Sequence, residues 1–217
     1  MKSNKPLRYR SIHDYGSAYF EEKKSKFLGQ ARPVESEEEA VDFINSIREE
    51  YKDATHNCTA YLIDNNLKRF DDDGEPSHTA GMPMLNTLEE EGLEKLVVVA
   101  TRYFGGTLLG KGGLVRAYTQ ACKMALEESM IVDKVLHTIV HLVLDYSLIG
   151  PLDNYLINNN IETIDKVYED SVTYKIYSQV EKEEKIKKDL MDLSSGTVAW
   201  EGEDSLYLSM KDGKLIF

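Results

Sequence analysis

Residues 96–126 are LVVVATRYFGGTLLGKGGLVRAYTQACKMAL, a stretch that predicts a strand, a glycine-rich turn and a helix in succession. The run Leu96–Ala100 is continuously apolar, which is typical of a central strand covered on both faces. From Leu114 to Leu126 apolar residues recur at steps of three and four, which predicts a long helix with one buried face. Between the two elements, five of the nine residues Gly105–Gly113 are glycine. The fold therefore contains a buried strand that leads through a tight turn into a helix.

The glycine-rich turn has part of the spacing of a phosphate-binding loop. Four residues separate Gly105 from Gly110, and Lys111 follows directly, as in the loop that cradles nucleotide phosphates between a strand and a helix. A nucleotide-hydrolysing loop would continue with serine or threonine to ligate magnesium, whereas Gly112 stands here. Such a loop is not predicted, but unshielded amides at the start of a helix still favour an anion. The alternative is that the glycines only permit a tight crossing with positive φ angles.

Positive charge is concentrated near this turn although the chain as a whole is acidic. The formal net charge is −12, but residues 101–126 carry four Lys or Arg and no acid. Residues 1–34 carry eight Lys or Arg against three acids, whereas residues 131–217 carry nine basic and sixteen acidic residues. This asymmetry favours an anion, such as a nucleic-acid phosphate, at the basic end. Solvated charged faces are the alternative.

The predicted binding residues combine these cations with the glycines. The anion- or nucleic-acid-binding set is Lys23, Lys24, Lys26, Arg102, Gly105, Gly106, Gly110, Lys111, Gly112, Gly113 and Arg116. Tyr103 and Phe104 are predicted to stack on bases if they are exposed, with burial in the core as the alternative. No catalytic residue is assigned, and no cofactor is expected.

An acidic turn precedes this region and raises the question of a metal. Its carboxylates, Asp71, Asp72, Asp73 and Glu75, surround Gly74. An EF-hand loop would need a ligand where Arg69 stands and a glutamate where Ala80 stands, so that site is not predicted. A looser Mg²⁺ site is one alternative, and a simple turn is the other.

The chain offers little that is typical of a catalytic or zinc centre. His56 and Cys58 share a face of a predicted strand with Ala60, which favours burial of the thiol. Paired cysteines with zinc spacing are absent from the sequence, and no serine stands in a nucleophile elbow. The sequence therefore leans away from an enzyme without deciding the matter.

The flanking segments predict two α+β units. Residues 16–34 predict two short strands, Ser36 and Glu39 form a capping box for a helix over 37–50, residues 58–70 predict a hairpin, and residues 79–91 predict a helix. Beyond residue 131 the predicted order is β-α-β-β-α-β, the ferredoxin-like arrangement, with the last two strands over 197–200 and 206–210. The expected domains are residues 1–134 and 135–217.

Composition places the chain among soluble proteins. The sequence has 217 residues, of which 41% are hydrophobic and 29% charged. No apolar run approaches the ~18 residues of a membrane helix, and Met1–Arg10 lacks the apolar stretch of a secretory signal. Two cysteines, Cys58 and Cys122, do not make a disulfide framework. We expect a cytoplasmic protein that does not engage membranes; the composition does not indicate an oligomeric state.

Several blocks together resemble the IMPACT family, and more closely its bacterial YigZ-like branch. They are Lys24–Gly29 (KSKFLG), Asp53–Cys58 (DATHNC), Asp72–Ser77 (DDGEPS) with Thr79–Leu85 (TAGMPML), and Arg102–Gly106 (RYFGG) with Leu109–Tyr118 (LGKGGLVRAY). The C-terminal part is similar through Leu148–Leu152 and Leu193–Gly196. At His78 the family pattern has glycine, and a positive φ there would strain a histidine.

The resemblance carries expectations for fold and function. It implies a first domain like the second domain of a small-subunit ribosomal protein (ribosomal-protein-S5-domain-2-like) and a ferredoxin-like second domain similar to the C-terminal domain of elongation factor G. The eukaryotic relatives regulate translation initiation through an additional N-terminal domain, which is not expected here.

Three functions follow for testing. The first is a non-enzymatic protein that engages RNA, the ribosome or a translation factor and is linked to regulation of translation. The second is an enzyme acting on a small anionic or phosphate-containing ligand with Mg²⁺, which a pocket uniting the acidic and glycine-rich turns would favour. The third is a protein-interaction module that uses the acidic second domain.

Overall fold

A computed structural model describes residues 5–217. The first four residues of Met1–Arg10, the stretch considered above for a secretory signal, therefore lie outside the described part of the chain. Two compact units are formed, one by Arg10–Val132 and the other by Asp133–Phe217 with the N-terminal residues through Tyr9. Two sheets and five α-helices occur within residues 5–217. The chain is therefore an α+β protein with two units. No helix in this range has the length and apolar character needed to span a membrane.

The unit Arg10–Val132 is built on a five-stranded antiparallel sheet. In spatial order its strands are β2 (Gly16–Glu22), β3 (Ser25–Pro33), β6 (Leu96–Tyr103), β4 (His56–Asp64) and β5 (Leu67–Asp71). Helix α1 (Glu37–Glu50) covers one face, while α2 (Gly81–Glu90) and α3 (Lys111–Glu128) cover the other. The central strand β6 is buried on both faces, as the apolar run predicted. Val97 and Val99 pack with α1, and Val98 and Ala100 belong to the core beneath α2 and α3.

Local sequence features explain where two of the helices begin. Ser36 caps α1, since its Oγ accepts from the Glu39 amide at 3.2 Å, and the Glu39 carboxylate accepts from the Glu35 amide at 2.8 Å. The predicted capping box is thus formed, with the return bond one residue earlier than its usual position. Helix α2 begins at Gly81, two residues later than predicted, because residues 74–80 remain in the preceding turn.

The unit Asp133–Phe217 has the predicted order β-α-β-β-α-β, followed by one short strand that was not predicted. Its elements are β7 (Ile131–Leu144), α4 (Ile149–Asn158), β8 (Thr163–Tyr168), β9 (Val172–Gln179), α5 (Glu183–Leu193), β10 (Ala199–Lys211) and β11 (Lys214–Ile216). The antiparallel spatial order is β11-β10-β7-β9-β8, and β1 (Arg8–Ile12) also pairs with β7. The last two predicted strands are one strand, β10. A shift of register between Gly202 and Ser205 absorbs the polar residues that separate its halves and keeps both paired with β7.

Candidate functional site

The glycine-rich turn between β6 and α3 forms one wall of a cleft of about 470 Å³. The acidic turn contributes Gly74, Glu75 and Pro76 to its lining, and the floor comes from His56 of β4 and Arg102 of β6. These two floor residues are direct neighbours across the paired strands. Strand pairing therefore brings together two turns that are about thirty residues apart in the sequence.

A buried ion pair lies at the floor of this cleft. Arg102 Nη1 lies 2.6 Å from Glu75 Oε1, and the two side chains are 5% and 3% exposed. The Tyr118 hydroxyl donates to the same oxygen at 2.7 Å, and the second amino group of Arg102 donates to Ser25 Oγ at 3.2 Å. Burial raises the pKa of Tyr118, and the nearby Cys58 thiol and Glu75 carboxylate add to this shift. The phenol is therefore a fixed donor to Glu75.

His56 extends this network toward the mouth of the cleft. Its Nδ1 lies 2.7 Å from the Asp73 carbonyl oxygen, and its Nε2 lies 3.9 Å from Glu75 Oε1. Because a carbonyl oxygen only accepts, Nδ1 carries a proton, and in that tautomer Nε2 has a free lone pair. The floor thus places an imidazole beside a carboxylate.

Apolar side chains form the walls above this floor. Phe104 is 46% exposed and Leu108 is 82% exposed, while Leu109 and Leu114 are buried against the core. The Phe104 ring lies 5.5 Å from the Arg102 guanidinium carbon, and its amide donates to Thr55 Oγ1 at 2.9 Å. Phe104 is therefore held in place by its backbone while its ring is open to a ligand. Exposed large apolar groups beside a polar floor are typical of a ligand site.

The mouth of the cleft is the N-terminus of α3. The preceding residue, Gly110, has φ 75° and supplies no side-chain cap. Lys111 is exposed and lines the cleft. The first turn of an 18-residue helix thus presents amides and a lysine at the cleft.

The glycines of the turn serve two different purposes. Gly106 and Gly110 have φ 80° and 75°, and a Cβ on Gly105 would lie 2.0 Å from the Lys24 backbone. These three are explained by backbone geometry. Gly112 is helical and exposed, and a Cβ there would meet only the Arg116 guanidinium at 3.7 Å. Glycine destabilises a helix by about 1 kcal/mol relative to alanine, and neither a positive φ nor a close contact requires it at Gly112. Its effect at this position is to leave the helix backbone accessible.

The β2–β3 turn carries its lysines next to this region. Lys23 and Lys24 have φ 48° and 67°, the left-handed pair of a tight hairpin turn. The Gly105 amide donates to Ser25 Oγ at 3.2 Å, and Lys26 pairs across the strands with Tyr103. The lysine turn is thus fixed against the glycine-rich turn. All three lysines are exposed.

Two of the predicted binding residues have side chains that are engaged with other residues of the protein. Arg102 was expected to meet phosphate, but its side chain is buried and its charge is paired with Glu75. Tyr103 donates through its hydroxyl to Asp53 at 2.9 Å, so its phenol is engaged away from the cleft. Arg102 is therefore a structural cation of the floor, and Phe104 is the aromatic residue that can stack. Arg116 is exposed on α3, one turn beyond Gly112.

The carboxylates of the acidic turn are engaged with the protein. Asp72 accepts from the amides of His78, Ala80 and Gly81 at 2.7, 3.0 and 2.9 Å. Asp73 accepts from the Asn57 amide at 2.6 Å. The Asp73 amide and Arg48 hold the pKa of Asp71 below its usual value. Among residues 5–217, no group of three or more His, Cys, Asp or Glu side chains is placed to hold a metal ion.

The backbone at His78 has the positive φ that the glycine of the family pattern suggested. His78 has φ 61°, a region that histidine enters less easily than glycine. The bond from its amide to Asp72 fixes this conformation, and its ring lies 5.9 Å from that of Phe70. Histidine is therefore accommodated by a backbone bond and a ring contact.

The two cysteines are enclosed, as predicted for Cys58. Burial raises the pKa of Cys58, whose thiol donates to the Asp72 carbonyl at 3.1 Å. Burial raises the pKa of Cys122 to about 12. Neither thiol has the lowered pKa that reactive cysteines show.

The sequence alone did not indicate the Glu75–Arg102–Tyr118 network. One clue was available, because continuing the alternation of the predicted strand Leu96–Ala100 by two residues puts Arg102 on the same face as Val98 and Ala100. An arginine on a buried face needs a carboxylate partner. Glu75, between a glycine and a proline, could not be identified as that partner without the fold.

Comparison with known proteins gives consistent matches over most of the chain. Residues 23–126 match the model of the Impact N-terminal domain, and residues 142–197 match that of a domain of unknown function (DUF1949). The chain is 34% identical to the IMPACT family member YvyE of Bacillus subtilis strain 168, over 87% of the chain and 88% of the relative. It is 36% identical to the IMPACT family member YigZ of Escherichia coli strain K12, over 64% of the chain and 74% of the relative. A crystal structure of a hypothetical protein, 30% identical, aligns with a TM-score of 0.58 over 92% of the chain and 98% of that structure.

Proposed function

The chain belongs to the IMPACT family, and we propose that it is a non-enzymatic protein that binds single-stranded RNA at the cleft of its first unit. The observation that carries the proposal is the position of the exposed Phe104 ring beside the uncapped N-terminus of α3. An aromatic face next to a site that attracts phosphate suits a nucleotide unit of an RNA strand. Stacking of a base on an aromatic ring contributes ~1–3 kcal/mol.

The charges around the cleft support this proposal. The exposed cations Lys23, Lys24, Lys26, Lys111 and Arg116 form no ion pair with the described residues, unlike Lys52, Lys68 and Lys95. An acidic protein that leaves these cations without carboxylate partners keeps local attraction for phosphate. Arg102 is not one of the proposed phosphate contacts because its charge is paired with Glu75.

The cellular setting belongs to the same proposal. We propose that the RNA is met on the ribosome or with a translation factor, in the cytoplasm, and that binding is linked to regulation of translation. The domain likenesses implied by the sequence support this setting: the ribosomal-protein-S5-domain-2-like first domain and the ferredoxin-like second domain, similar to that of elongation factor G.

The test is a charge reversal at the mouth of the cleft. Lys111→Glu combined with Arg116→Glu should weaken binding of a single-stranded RNA of about twelve nucleotides, measured by fluorescence anisotropy across a salt series. Each lost phosphate contact reduces the slope of log affinity against log salt by about 0.7. Two lost contacts should therefore lower the slope by about 1.4.

A matched control is available on α5. Lys187→Glu with Lys188→Glu makes the same change in net charge at two exposed positions of the other unit. This variant should bind RNA nearly as the wild type does. RNA affinity of the Lys111 and Arg116 variant equal to that of the control would remove the proposal.

A second candidate is a small phosphate-containing ligand in the same cleft, including an enzymatic reaction upon it. The cleft unites the acidic and glycine-rich turns, and about 470 Å³ is enough for a single nucleotide. Thermal unfolding with mononucleotides, with and without Mg²⁺, tests this candidate. A rise in Tm with a mononucleotide but none with RNA would favour it over the first proposal.

A further inference from the structure

One oxygen of Glu75 is left for a ligand. The Arg102 and Tyr118 bonds both end on Oε1, and no bond from a described residue reaches Oε2. The side-chain polar atoms that are enclosed without a partner in residues 5–217 are Gln30 Oε1, Arg102 Nε and Ser178 Oγ. Glu75 Oε2 is not among them, so it has access to the cleft that Glu75 lines. The floor therefore presents a carboxylate oxygen with unused accepting capacity.

A second acceptor lies beside it. His56 Nε2 is 3.9 Å from the same carboxylate, and the proton on Nδ1 is directed to the Asp73 carbonyl. Each Arg102 amino group, by contrast, already donates within the protein, one to Glu75 and the other to Ser25. A ligand that fills the cleft to its floor thus meets two neighbouring acceptors. The complementary group is one that donates two hydrogens, such as an amine on a flat ring.

The surroundings decide what kind of molecule carries that amine. Phe104 and Leu108 provide walls for a flat ring, and Lys111 with the α3 N-terminus is positive. A cationic peptide side chain would suit the floor but would be repelled at this mouth. A nucleotide suits both the floor and the mouth of the cleft, because its phosphate meets the positive mouth while the amino group of its base reaches the acceptors.

We infer that the cleft prefers RNA bases that carry an exocyclic amino group over uracil, with Glu75 Oε2 as the discriminating atom. The inference rests on the proposed function and adds base selectivity to it. The cytosine amine offers two hydrogens, one for each acceptor. Uracil presents a carbonyl oxygen in place of the amine and keeps only its ring N3–H as a donor, so it can satisfy one of the two acceptors. Loss of a bond to a charged acceptor reduces affinity by about tenfold or more.

Wild-type protein with matched oligonucleotides provides the main test. We would measure anisotropy of oligocytidylate and oligouridylate of equal length at one salt concentration, and then of guanosine- and inosine-containing oligomers, since inosine lacks the guanine amine. Tighter binding of the amine-bearing member, by about tenfold in each pair, is expected. Equal binding in both pairs, or tighter binding of uridine, would overturn the inference while leaving RNA binding intact. If no oligonucleotide binds, the proposed function itself fails.

Two variants distinguish hydrogen bonding to the base edge from stacking on the Phe104 ring. Glu75→Gln replaces an acceptor by an amide that can donate to uracil, so the ratio of cytidine to uridine affinity should fall toward one. Phe104→Ala should weaken both oligomers and leave that ratio unchanged. Thermal unfolding of Glu75→Gln checks that the variant is folded. An unchanged ratio in a folded Glu75→Gln protein would also overturn the inference.

Discussion

Arg102 and Glu75 form a 2.6 Å ion pair between the end of the central strand and the acidic turn, with both side chains withdrawn from solvent. The Arg102 guanidinium also lies 5.5 Å from the rings of Phe27 and Phe104. One pair of residues thus fixes the floor of the cleft, the entry to the glycine-rich turn and the wall residue Phe104. Stability of the fold and geometry of the site are coupled at this contact.

Loss of one partner of this pair should be costly. Arg102→Gln leaves the buried Glu75 carboxylate without its cation, and such losses destabilise by about 3–5 kcal/mol. The control is Arg48→Gln, which breaks the more exposed pair with Asp71 and should cost about 1 kcal/mol or less. Urea unfolding of both variants measures the difference. Equal losses would mean that burial of the Arg102 pair does not determine its contribution.

Two glycine variants should act in opposite directions. Gly105→Ala places a Cβ about 2.0 Å from the Lys24 backbone, so we expect destabilisation and displacement of the lysine turn. Gly112→Ala meets only the end of Arg116 and should stabilise the protein by up to about 1 kcal/mol through helix propensity. Thermal unfolding tests both. If Gly112 serves a ligand, the stabilised variant should bind RNA more weakly than the wild type, and unchanged binding would count against that role.

Local patterns predicted the elements better than they predicted the site. The apolar run, the capping box and the three- and four-residue spacing each act within a few residues, and β6, α1 and α3 follow from them. The single strand β10 was missed because its polar centre resembles a loop. Only pairing with β7, with a shift between Gly202 and Ser205, makes it continuous.

The floor of the cleft depends on contacts that local patterns do not contain. His56 and Arg102 become neighbours through strand pairing across 46 residues, and Glu75 reaches Arg102 only after the acidic turn folds over β4. The sequence identified the glycine-rich turn and its lysines. It could not show that Arg102 is neutralised, because its partner lies outside any helix or strand.

We expect Asp72 of the acidic turn to stabilise the N-terminus of α2. Asp72 accepts three backbone amides, from His78, Ala80 and Gly81, and removal of a helix-capping carboxylate costs about 0.5–2 kcal/mol. Asp72→Ala should lower the free energy of unfolding by about 2 kcal/mol, and Asp170→Ala, at an exposed turn, by less than about 0.5 kcal/mol. Urea unfolding compares them. Similar small effects from both would show that the Asp72 bonds contribute little.

Buried His137 should make stability of the second unit depend on pH. Its ring is 1% exposed, its Nδ1 lies 2.8 Å from the Val135 carbonyl, and burial, with a smaller effect from Lys182, lowers its pKa. In the unfolded chain the imidazole has a pKa of about 6.5, so between that value and the lower folded value the unfolded state binds more protons. Stability from this group is therefore complete above pH ~6.5 and declines as the pH falls toward the folded pKa. His137→Asn keeps a donor for Val135 and removes the titration. Urea unfolding from pH 7.5 to 5.5 should show a smaller loss of unfolding free energy in the variant than in the wild type. The other histidines are common to both proteins, so equal losses would contradict the assignment to His137.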